Sequence, residues 1–583
     1  FAPNWFQWRV LRPGLKGNRV RIPDSPAAVM LGMLPEGLNH WRFVVFGRGG
    51  VRKRASQKTC RSAKFVPARG IGERRRKRKR MIKKVLIANR GEIAVRVMRS
   101  CREMGLRTVA VFSEADRASK HVMYADEAYC IGPAESRESY LNIDKIINVA
   151  LQCKADAVHP GYGFLSENAE FVRRCEAAGL VFIGPRAETM EAMGDKISAR
   201  KRMIDAGVPV VPGTTEPLKD ADEALRICNE IGYPVMLKAS MGGGGKGMRL
   251  IHSAEEVKEA YDSARSESMS SFGDDTVYLE KFVEEPHHIE FQILGDAYGN
   301  VVHLFDRECS VQRRHQKWGE ERPSPSRARE LRRERGGRAG AAARAGKSRG
   351  RGTIVFLVDK SRHFYFLEMN TRLQVEHPIT EEVMGVDLVK EQLRVAAGEQ
   401  LRFRQEDLFQ RGHAIECRIC AEDTENGFIP CPGIIKQLTE PNGIGVRIDS
   451  YVYEGYEIPL YYDPMIGKLI VWATTRQFAI ERMRRVLYEF KITGLKTNLS
   501  YLRRIMYAPA FVKGEYDTSF LEKYSRSLQR ANGDNEEIEN MALIAAYVDY
   551  LFNLEENSPV RVADARPISR WREFGLQKGV LRI

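Results

Sequence analysis

Five polar residues alternate with other side chains in one short stretch, positions 364–380 (FYFLEMNTRLQVEHPIT). The stretch opens with four aromatic or aliphatic residues, as a buried strand requires. If the strand continues, alternate side chains point to the same face. A carboxylate beside an amide oxygen suits Mg²⁺, which takes oxygen ligands and is usually shared with substrate phosphates. The alternation, which Gln374 continues, therefore predicts a metal site at Glu368 and Asn370, an anion-binding fork at Arg372 and a base at Glu376.

A second group of residues could hold phosphates. Residues 241–248 read MGGGGKGM, and four consecutive glycines let backbone N–H groups close around phosphate oxygens. Lys238 lies in the strand predicted before this run, Lys246 lies within it, and Lys196 begins a predicted helix, where free N–H groups favour anions. The sequence has no GxxxxGK[ST] motif, so the run is not a Walker loop. It could be a simple hairpin tip, but the two lysines favour a phosphate lid.

The elements ahead of these sites alternate between strands and helices, which predicts a parallel, doubly wound sheet. Residues 161–168 (GYGFLSEN) follow the third strand, at the carboxyl end where such sheets bind ligands. No GxGxxG motif follows the first strand, so a dinucleotide site is unsupported. The predicted elements are the strands 84–88, 106–112 and 155–159 and the helix 92–104.

Seven motifs occur in a fixed order: IANRGEIAVR, HPGYGFLSEN, MGDKISA, KASMGGGGKGM, RRHQK, EMNTRLQVEHP and RGHAIECRICAED. Together they closely resemble biotin carboxylase of the ATP-grasp superfamily, which serves acetyl-CoA, propionyl-CoA and pyruvate carboxylases. The likeness covers roughly Met81 to Tyr524. It implies a fold of the α/β and α+β classes, with a doubly wound pre-ATP-grasp domain, an ATP-grasp domain with a mobile glycine lid, and a carboxyl-terminal biotin carboxylase domain.

The resemblance also implies domain limits along the chain. The rest of the chain is a basic leader, a polar linker and a tail with an amphipathic helix around positions 541–552. The assigned segments are the leader 1–80, the pre-ATP-grasp domain 81–193, the ATP-grasp domain 194–400, the carboxyl-terminal domain 410–524, and the linker and tail 525–583.

The implied reaction is the ATP-dependent carboxylation of biotin by bicarbonate through carboxyphosphate, with Mg²⁺ or Mn²⁺ bound at Glu368 and Asn370. By resemblance, Glu376 takes the proton of bicarbonate and Arg418 steadies the enolate-like oxygen of biotin. The bicarbonate and biotin contacts would be Lys317, Arg372, Gln374, Val375 and Arg418. The ATP contacts would be Lys196, Lys238, Gly242, Gly243, Gly244, Gly245, Glu280, Lys281, His288, Gln312 and His315.

The expected partners are inferred from a motif that the sequence lacks and from the family resemblance. No AMKM-like biotinyl-lysine motif occurs, so we expect the biotin to arrive on a separate carrier protein. The resemblance further implies a homodimer and a carboxyltransferase partner. The ten cysteines are scattered, which favours a reducing compartment such as the cytoplasm. We expect no nucleic-acid partner and no membrane segment, because no apolar run approaches the roughly 18–20 residues of a membrane span.

The net charge of +17 is concentrated in the leader. Residues 1–80 carry 21 Lys and Arg against three acidic residues, whereas the rest of the chain has 72 basic and 73 acidic residues. A transit peptide, a disordered basic arm and mistranslated upstream sequence are three possible explanations. Transit peptides also favour Ser and an amphipathic helix, which this segment lacks. We favour disordered or mistranslated sequence, with Met81 as the natural start.

Two departures from the family pattern bear on activity. The family has a second metal-binding glutamate in a segment like GTxEF, and here residues 352–356 read GTIVF, with Val355 at that position. Valine cannot ligate a metal, so we expect this chain to be weak or inactive. Residues 326–352 are rich in Arg and Gly with one large apolar residue, Leu331. Such a segment offers no apolar face to a core, which favours a damaged or misread stretch over a natural insertion.

Two rival functions remain. Another ATP-grasp ligase, such as a carbamoyl-phosphate-type synthase, is opposed by RGHAIECRICAED with its Arg418. A non-catalytic scaffold that still binds ATP and the carrier is supported by Val355 and the arginine-rich stretch. An assay of ADP release with biotin and bicarbonate distinguishes an enzyme from a scaffold.

Overall fold

A computed structural model describes residues 81–240, 247–314, 316–325, 350–529 and 543–551, and in addition 337, 340 and 541. They all belong to one compact unit. Several predictions lie outside the described residues: the leader 1–80, the glycines Gly242–Gly245, His315, most of the stretch 326–352 and most of the segment 525–583.

Five parallel strands form the first sheet, in the order β3-β2-β1-β4-β5. Alternate residues of β1 enter two different apolar clusters, with Leu86 in one and Val85 and Ile87 in the other, so both faces are covered. The predicted doubly wound sheet is confirmed. Its strands are β1 Lys84–Ile87, β2 Arg107–Ser113, β3 Glu127–Gly132, β4 Ala157–His159 and β5 Val181–Phe182. Its helices are α1 Gly91–Glu103, α2 Lys120–Tyr124, α3 Ile143–Gln152, α4 Ala169–Ala177 and α5 Ala187–Gly194.

A small antiparallel sheet follows, in the order β7-β6-β8. The glycine run connects β6 to β7, as its sequence position requires. Helix α6 begins at Lys196 as predicted, and Asp195 caps it by accepting a hydrogen bond from the Ser198 N–H at 3.0 Å. The elements are α6 Lys196–Asp205, α7 Ala221–Ile231, β6 Val235–Ala239, β7 Met248–Ile251, α8 Val257–Phe272 and β8 Val277–Lys281.

An eight-stranded antiparallel sheet holds most of the chemistry, in the order β13-β12-β9-β10-β11-β14-β21-β19. Because β11 pairs with β14, the sheet runs without a break from the predicted ATP-grasp domain into the carboxyl-terminal domain. Its strands are β9 His287–Gly295, β10 Val301–Arg313, β11 Gln316–Arg322, β12 Gly350–Val358, β13 Phe364–Asn370, β14 His413–Cys420, β19 Val446–Ser450 and β21 Met465–Ala473.

The remaining elements surround this sheet. Three two-stranded sheets pair β15 with β16, β17 with β20 and β18 with β22. These strands are β15 Glu422–Asp423, β16 Ile429–Pro430, β17 Gly433–Ile434, β18 Gln437–Thr439, β20 Glu457–Ile458 and β22 Lys491–Thr493. The helices are α9 His377–Met384, α10 Leu388–Ala396, α11 Arg476–Glu489, α12 Leu499–Tyr507, α13 Pro509–Lys513, α14 Phe520–Lys523 and α15 Ser525–Leu528.

The two faces of β12 differ in polarity: one packs into an apolar cluster, and the other faces the candidate site. Ile354, Phe356 and Val358 enter an apolar cluster on one face. Thr353 and Val355 alternate with them and face the other side. Strand β12 pairs with β9 along its full length although the arginine-rich stretch precedes it.

One expectation for the central stretch is wrong. The strand β13 ends at Asn370, and the polar residues after it do not continue its alternation. Residues 371–376 form a loop with turns, and helix α9 begins at His377 with Pro378 in its first turn. Proline favours this position because its fixed φ suits a helix start and its missing N–H has no partner to lose there. Glu376 is therefore the N-cap residue of α9 rather than a strand residue.

Among the described residues, none of the helices combines the length and hydrophobicity that crossing a bilayer demands.

Candidate functional site

The predicted metal pair lies at the end of β13. Glu368 and Asn370 share a face, and the Asn370 amide donates a hydrogen bond to Glu368 Oε1 at 3.1 Å. Arg372 follows in the loop, and its Nη2 donates to Asn370 Oδ1 at 3.2 Å. The adjacency that the sequence predicted for Glu368 and Asn370 is confirmed. Two oxygen donors at this spot fit a hard cation.

An apolar residue occupies the position at which the family resemblance implies a further metal ligand. Val355 of β12 stands directly opposite Glu368 of β13 and directly opposite Glu290 of β9, and it is fully buried. Directly opposite residues of antiparallel strands share a face. A glutamate at this position would lie between two carboxylates, as a metal site with several anionic ligands requires. Glu368 and Asn370 therefore fit Mg²⁺, and Val355 does not.

Glu376 is held between two cations. Its Oε1 accepts a hydrogen bond from Lys317 Nζ at 2.6 Å, and its Oε2 accepts one from Arg418 Nη2 at 2.9 Å. The carboxyl group is 1% exposed, so its charge depends on these partners. The structure thus brings together three residues that are separated by 59 and 42 positions in the sequence.

Lys317 keeps its charge in this setting. Burial alone would lower its pKa, but the carboxylates of Glu290 and Glu376 together hold the pKa of Lys317 well above the usual range. A lysine with such a pKa binds an anion and does not serve as a base. Lys317 therefore presents a permanent positive charge to the space around Glu376.

Glu290 is a site residue that the sequence reasoning missed. It is fully buried in β9 and accepts hydrogen bonds from Lys317, from Arg307 Nη2 at 2.9 Å and from His288 Nε2 at 3.0 Å. Burial raises the pKa of Glu290, but the three bases, led by Lys317, bring it well below its usual value. The signal that could have found it is a lone acidic residue in the apolar strand HHIEFQI.

Glu290 and Glu376 also lie close to the Cys309 thiol, with one ligand atom of each within 4.8 Å of the others. Three buried groups at such distances resemble a metal site. However, the Lys317 ammonium already donates to both carboxylates, and a cation bound there would repel it. We interpret this cluster as an ion-pair network rather than a metal centre.

Arg418 lies between two carboxylates. Its Nε donates to Glu320 Oε1 at 2.8 Å, while its Nη2 reaches Glu376. Burial lowers the pKa of Arg418, but Glu320 and Glu376 outweigh it, so the guanidinium stays charged. A fixed, charged donor is what a developing oxyanion requires.

Arg372 connects the central stretch to the first sheet. Its Nε donates to Glu167 Oε2 at 2.8 Å, and its Nη1 donates to Gln374 Oε1 at 2.8 Å. Glu167 belongs to the loop after β4, and it also accepts from the Thr371 N–H at 2.9 Å. The loop predicted to face a ligand does meet the central stretch.

A cavity of about 960 Å³ collects these groups between the first sheet, the central stretch and the carboxyl-terminal strands. The first sheet supplies its Asn89–Arg90–Gly91 turn and Tyr162, and the carboxyl-terminal part supplies Glu422 and the segment from Tyr461 to Met465. All six predicted bicarbonate and reaction residues line it: Lys317, Arg372, Gln374, Val375, Glu376 and Arg418.

The candidate phosphate lysines lie apart from this cavity, around Glu280. Lys238 Nζ is 2.5 Å from Glu280 Oε2, and Arg200 Nη1 is 2.9 Å from Glu280 Oε1. Lys196 Nζ donates to the Ala239 carbonyl at 3.4 Å. Burial lowers the pKa of Lys196, and the charge of Glu368 opposes that shift. An added polyanion would compensate the charges of half-buried Lys196 and buried Lys238.

The other predicted nucleotide contacts are engaged within the protein. Lys281 Nζ donates to the carbonyls of Gly232 at 2.8 Å and Tyr233 at 3.0 Å, so its ammonium braces a loop. His288 is bonded to Glu290, and Gln312 is buried near the β10–β11 turn. Of the described ATP candidates, none lines the cavity that holds Glu376.

We expect the chain to bind MgATP, because Lys196, Lys238 and Glu280 are in place in the described fold. Replacing both Lys196 and Lys238 with glutamine should weaken binding by about 10–100-fold, since each contact is a hydrogen bond to a charged group. Calorimetry measures the affinity, and Lys201→Gln, on the exposed side of α6, is the matched control. A folded chain that binds no MgATP would contradict this assignment.

Three family models match the chain in succession. They are the biotin carboxylase N-terminal domain at residues 81–190, the carbamoyl-phosphate synthase L chain ATP-binding domain at 195–404, and the biotin carboxylase C-terminal domain at 416–523. An ATP-binding domain that lies between two biotin carboxylase domains places the chain in the class of ATP-dependent ligases.

Similar proteins narrow this class to one family. A pyruvate carboxylase subunit from Methanothermobacter thermautotrophicus is 55% identical over 448 residues, which cover 77% of this chain and 91% of that protein. The biotin carboxylase of Nostoc sp. is 54% identical over 443 residues, which cover 76% and 99%. The biotin carboxylase domain dimer of Hydrogenobacter thermophilus 2-oxoglutarate carboxylase, solved with MgADP, ADP and bicarbonate, has a TM-score of 0.75 at 48% identity and covers 78% of this chain and 100% of its own. The chain belongs to the biotin carboxylase family.

Proposed function

We propose that this biotin carboxylase divides its reaction between two regions. Its function is ATP-dependent carboxylation of biotin by bicarbonate, the first half-reaction of a biotin-dependent carboxylase. In our assignment the lysines around Glu280 bind ATP phosphates, and the cavity around Glu376 binds bicarbonate and biotin. The observation that carries this is Glu376 between Lys317 and Arg418, at 2.6 and 2.9 Å.

In the cavity, each residue has a role that its charge supports. Lys317 and Arg372 attract bicarbonate, and Gln374 and the backbone of Val375 complete the anion site. Glu376 accepts the proton of bicarbonate, since it is the carboxylate that contacts both Lys317 and Arg418. Arg418 donates to the oxygen of biotin that gains negative charge.

On the nucleotide side, Lys196, Lys238 and the glycine run hold the phosphates, while Glu280, Lys281, His288, Gln312 and His315 contact the nucleoside. Glu368 and Asn370 would hold Mg²⁺ or Mn²⁺, which supplies neutralising charge for phosphoryl transfer when bound. These assignments rest on the resemblance and on the positions of half-buried Lys196 and buried Lys238.

We also propose that biotin arrives on a carrier protein, that a carboxyltransferase subunit uses the product, and that the chain forms a homodimer in the cytoplasm. The related carboxylase domain that is a dimer, and the related protein that is one subunit of a pyruvate carboxylase, support the assembly. The nine free cysteines of the described residues support a reducing compartment. The proposed limits 81–193, 194–400 and 410–524 follow the order of the matched families.

The test is ADP release measured by a coupled assay, with ATP, Mg²⁺, bicarbonate and free biotin each omitted in turn. We expect release to need ATP, Mg²⁺ and bicarbonate and to rise when biotin is added. Nucleotide binding without any bicarbonate-dependent release, in the chain and in its Val355→Glu variant, would instead favour the scaffold.

A further inference from the structure

Two buried carboxyl groups face each other beside Arg418. Glu320 of β11 and Glu416 of β14 are directly opposite in the antiparallel register. They are 2% and 0% exposed. Directly opposite side chains share a face with Cβ atoms roughly 4.5–5.5 Å apart. Arg418 lies two positions after Glu416 on that same face and lines the cavity. The pair therefore stands behind the guanidinium that we assign to biotin.

The hydrogen bonds of the two carboxyl groups are unequal. Glu320 Oε1 accepts from Arg418 Nε at 2.8 Å and lies 2.5 Å from Arg418 Nη2. Among the described residues, Glu320 Oε2 and both oxygens of Glu416 have no hydrogen-bond partner. Arg418 thus favours the charged form of Glu320, although burial still raises the pKa of Glu320. In the described part of the chain, no hydrogen bond does the same for Glu416.

Two adjacent carboxylates in a low-dielectric interior do not both ionise unless a cation is hydrogen-bonded to both, as Lys317 is to Glu290 and Glu376. A proton on Glu416 removes the repulsion and also supplies a donor for Glu320 Oε2, the acceptor on the facing residue that lacks one. Burial raises the pKa of Glu416 well above its usual value; Lys468 opposes this shift and Glu320 reinforces it.

Charged groups face Glu416 from its own strand, β14, and from the neighbouring elements β11, β21 and α9. Lys468 of β21 is itself engaged by the Val375 carbonyl at 3.0 Å and by Glu92 Oε1 at 3.1 Å. Arg322, two positions along β11 on the same face, donates to Thr380 at 2.8 Å. The facing set is Arg418 on its own strand, Glu320 and Arg322 on β11, Lys468 on β21 and Glu376 at the start of α9.

We propose that Glu416 is a neutral carboxylic acid that donates its proton to Glu320, and that this pair positions the Arg418 guanidinium for biotin. Glu416 is then a positioning residue that acts through Glu320, and the inference rests on the proposed role of Arg418. When Glu416 loses its proton, a second negative charge draws Arg418 towards the wall of the cavity. Carboxylation of biotin falls at alkaline pH, while the nucleotide site around Glu280 is unaffected.

The first test compares the chain with its Glu416→Gln variant, because glutamine is neutral and can still donate to Glu320. In the unchanged chain, kcat/KM for biotin should be constant up to an alkaline pH, which we call the alkaline limit. Above this limit it should fall tenfold per pH unit, because one proton is lost. The variant should match the unchanged chain within about threefold at neutral pH and lack that limit. Glu391→Gln, another buried glutamate with an oxygen lacking a partner in the described structure, is the matched control and should keep the limit. An identical limit in Glu416→Gln, or a loss of more than tenfold at neutral pH, would overturn the proposal.

A second readout does not depend on turnover. The infrared spectrum of the full chain should contain the carbonyl stretch of a neutral, buried carboxylic acid that titrates only at alkaline pH. This band should be absent from Glu416→Gln and present in Glu391→Gln. A band of the same intensity in both variants would show that it arises from another carboxyl group and would contradict a neutral Glu416.

A third variant covers the case in which Glu416→Gln does not fold. Glu320→Gln removes the anion that holds Arg418, so we expect the KM for biotin to rise about 10–100-fold. The KM for ATP should not change, and the alkaline limit should move to lower pH because the neighbouring charge is gone. A purely structural role would change both KM values together, and an unchanged KM for biotin would contradict the role of Glu320.

Discussion

Replacing Val355 by glutamate is expected to raise the turnover of biotin carboxylation by at least about 10–100-fold, the range in which metal sites respond even to changes outside the ligands. Val355 stands opposite Glu368 and Glu290 on the polar face of the sheet. A carboxylate there would add an anionic ligand beside Glu368 and Asn370 and so hold Mg²⁺ more firmly, and the bound metal would supply positive charge to the phosphates. The rate is followed through a magnesium titration at saturating ATP, bicarbonate and biotin.

Two control variants separate charge from shape at this position. Val355→Leu offers no oxygen and should behave as the unchanged chain does. Val355→Gln offers an oxygen without a charge and should recover only part of the rate. In the absence of Mg²⁺, Val355→Glu buries an unpaired carboxylate and should lower the melting temperature. Magnesium curves for Val355→Glu and the unchanged chain that coincide would show that this position does not bind the metal.

Arg418→Ala is expected to lower biotin carboxylation by about 10²–10³-fold, the usual loss when an oxyanion donor is removed. Bicarbonate-dependent ATP cleavage should largely persist, because the candidate phosphate lysines lie around Glu280 and none of the described ATP candidates lines the cavity. The two activities are measured on the same sample, one as ADP released without biotin and the other as carboxybiotin formed.

The substitution also leaves Glu320 buried without its cation, which costs about 3–5 kcal/mol of stability. Circular dichroism and a melting curve must therefore accompany the assay. Arg418→Lys is the second variant: it keeps a charge but cannot bridge Glu320 and Glu376 as the guanidinium does. An equal loss of both activities in a folded Arg418→Ala would contradict the assignment of Arg418 to biotin.

The sequence predicted the local chemistry of the site because that chemistry depends on short-range patterns. Glu368 and Asn370 are two residues apart in a strand, so their shared face follows from the pleat. Lys196 at a helix start and the parallel first sheet also follow from local signals. The resemblance then joined Lys317, Glu376 and Arg418, which the structure places in one cluster.

Long-range register explains what the sequence could not provide. Glu290, Glu320 and Glu416 lie in strands of mixed polar and apolar sequence, and only the pairing of β9, β10, β11 and β14 shows what they face. The alternation after Asn370 was misleading for a related reason. A polar residue at every second position fits a strand, but the same residues fit a loop that ends at the capping residue Glu376. The packing of helix α9 on β14, a tertiary contact, decides whether a strand or a loop forms.

The most direct test of the central claim follows labelled carbon from bicarbonate into biotin. The chain and its Val355→Glu variant are each incubated with labelled bicarbonate, ATP, Mg²⁺ and free biotin, and carboxybiotin is quantified by mass spectrometry. We predict ATP-dependent labelled carboxybiotin from both proteins, with much more from Val355→Glu. No labelled carboxybiotin from either protein, in samples that are folded and bind MgATP, would contradict the claim that this fold and cavity carboxylate biotin.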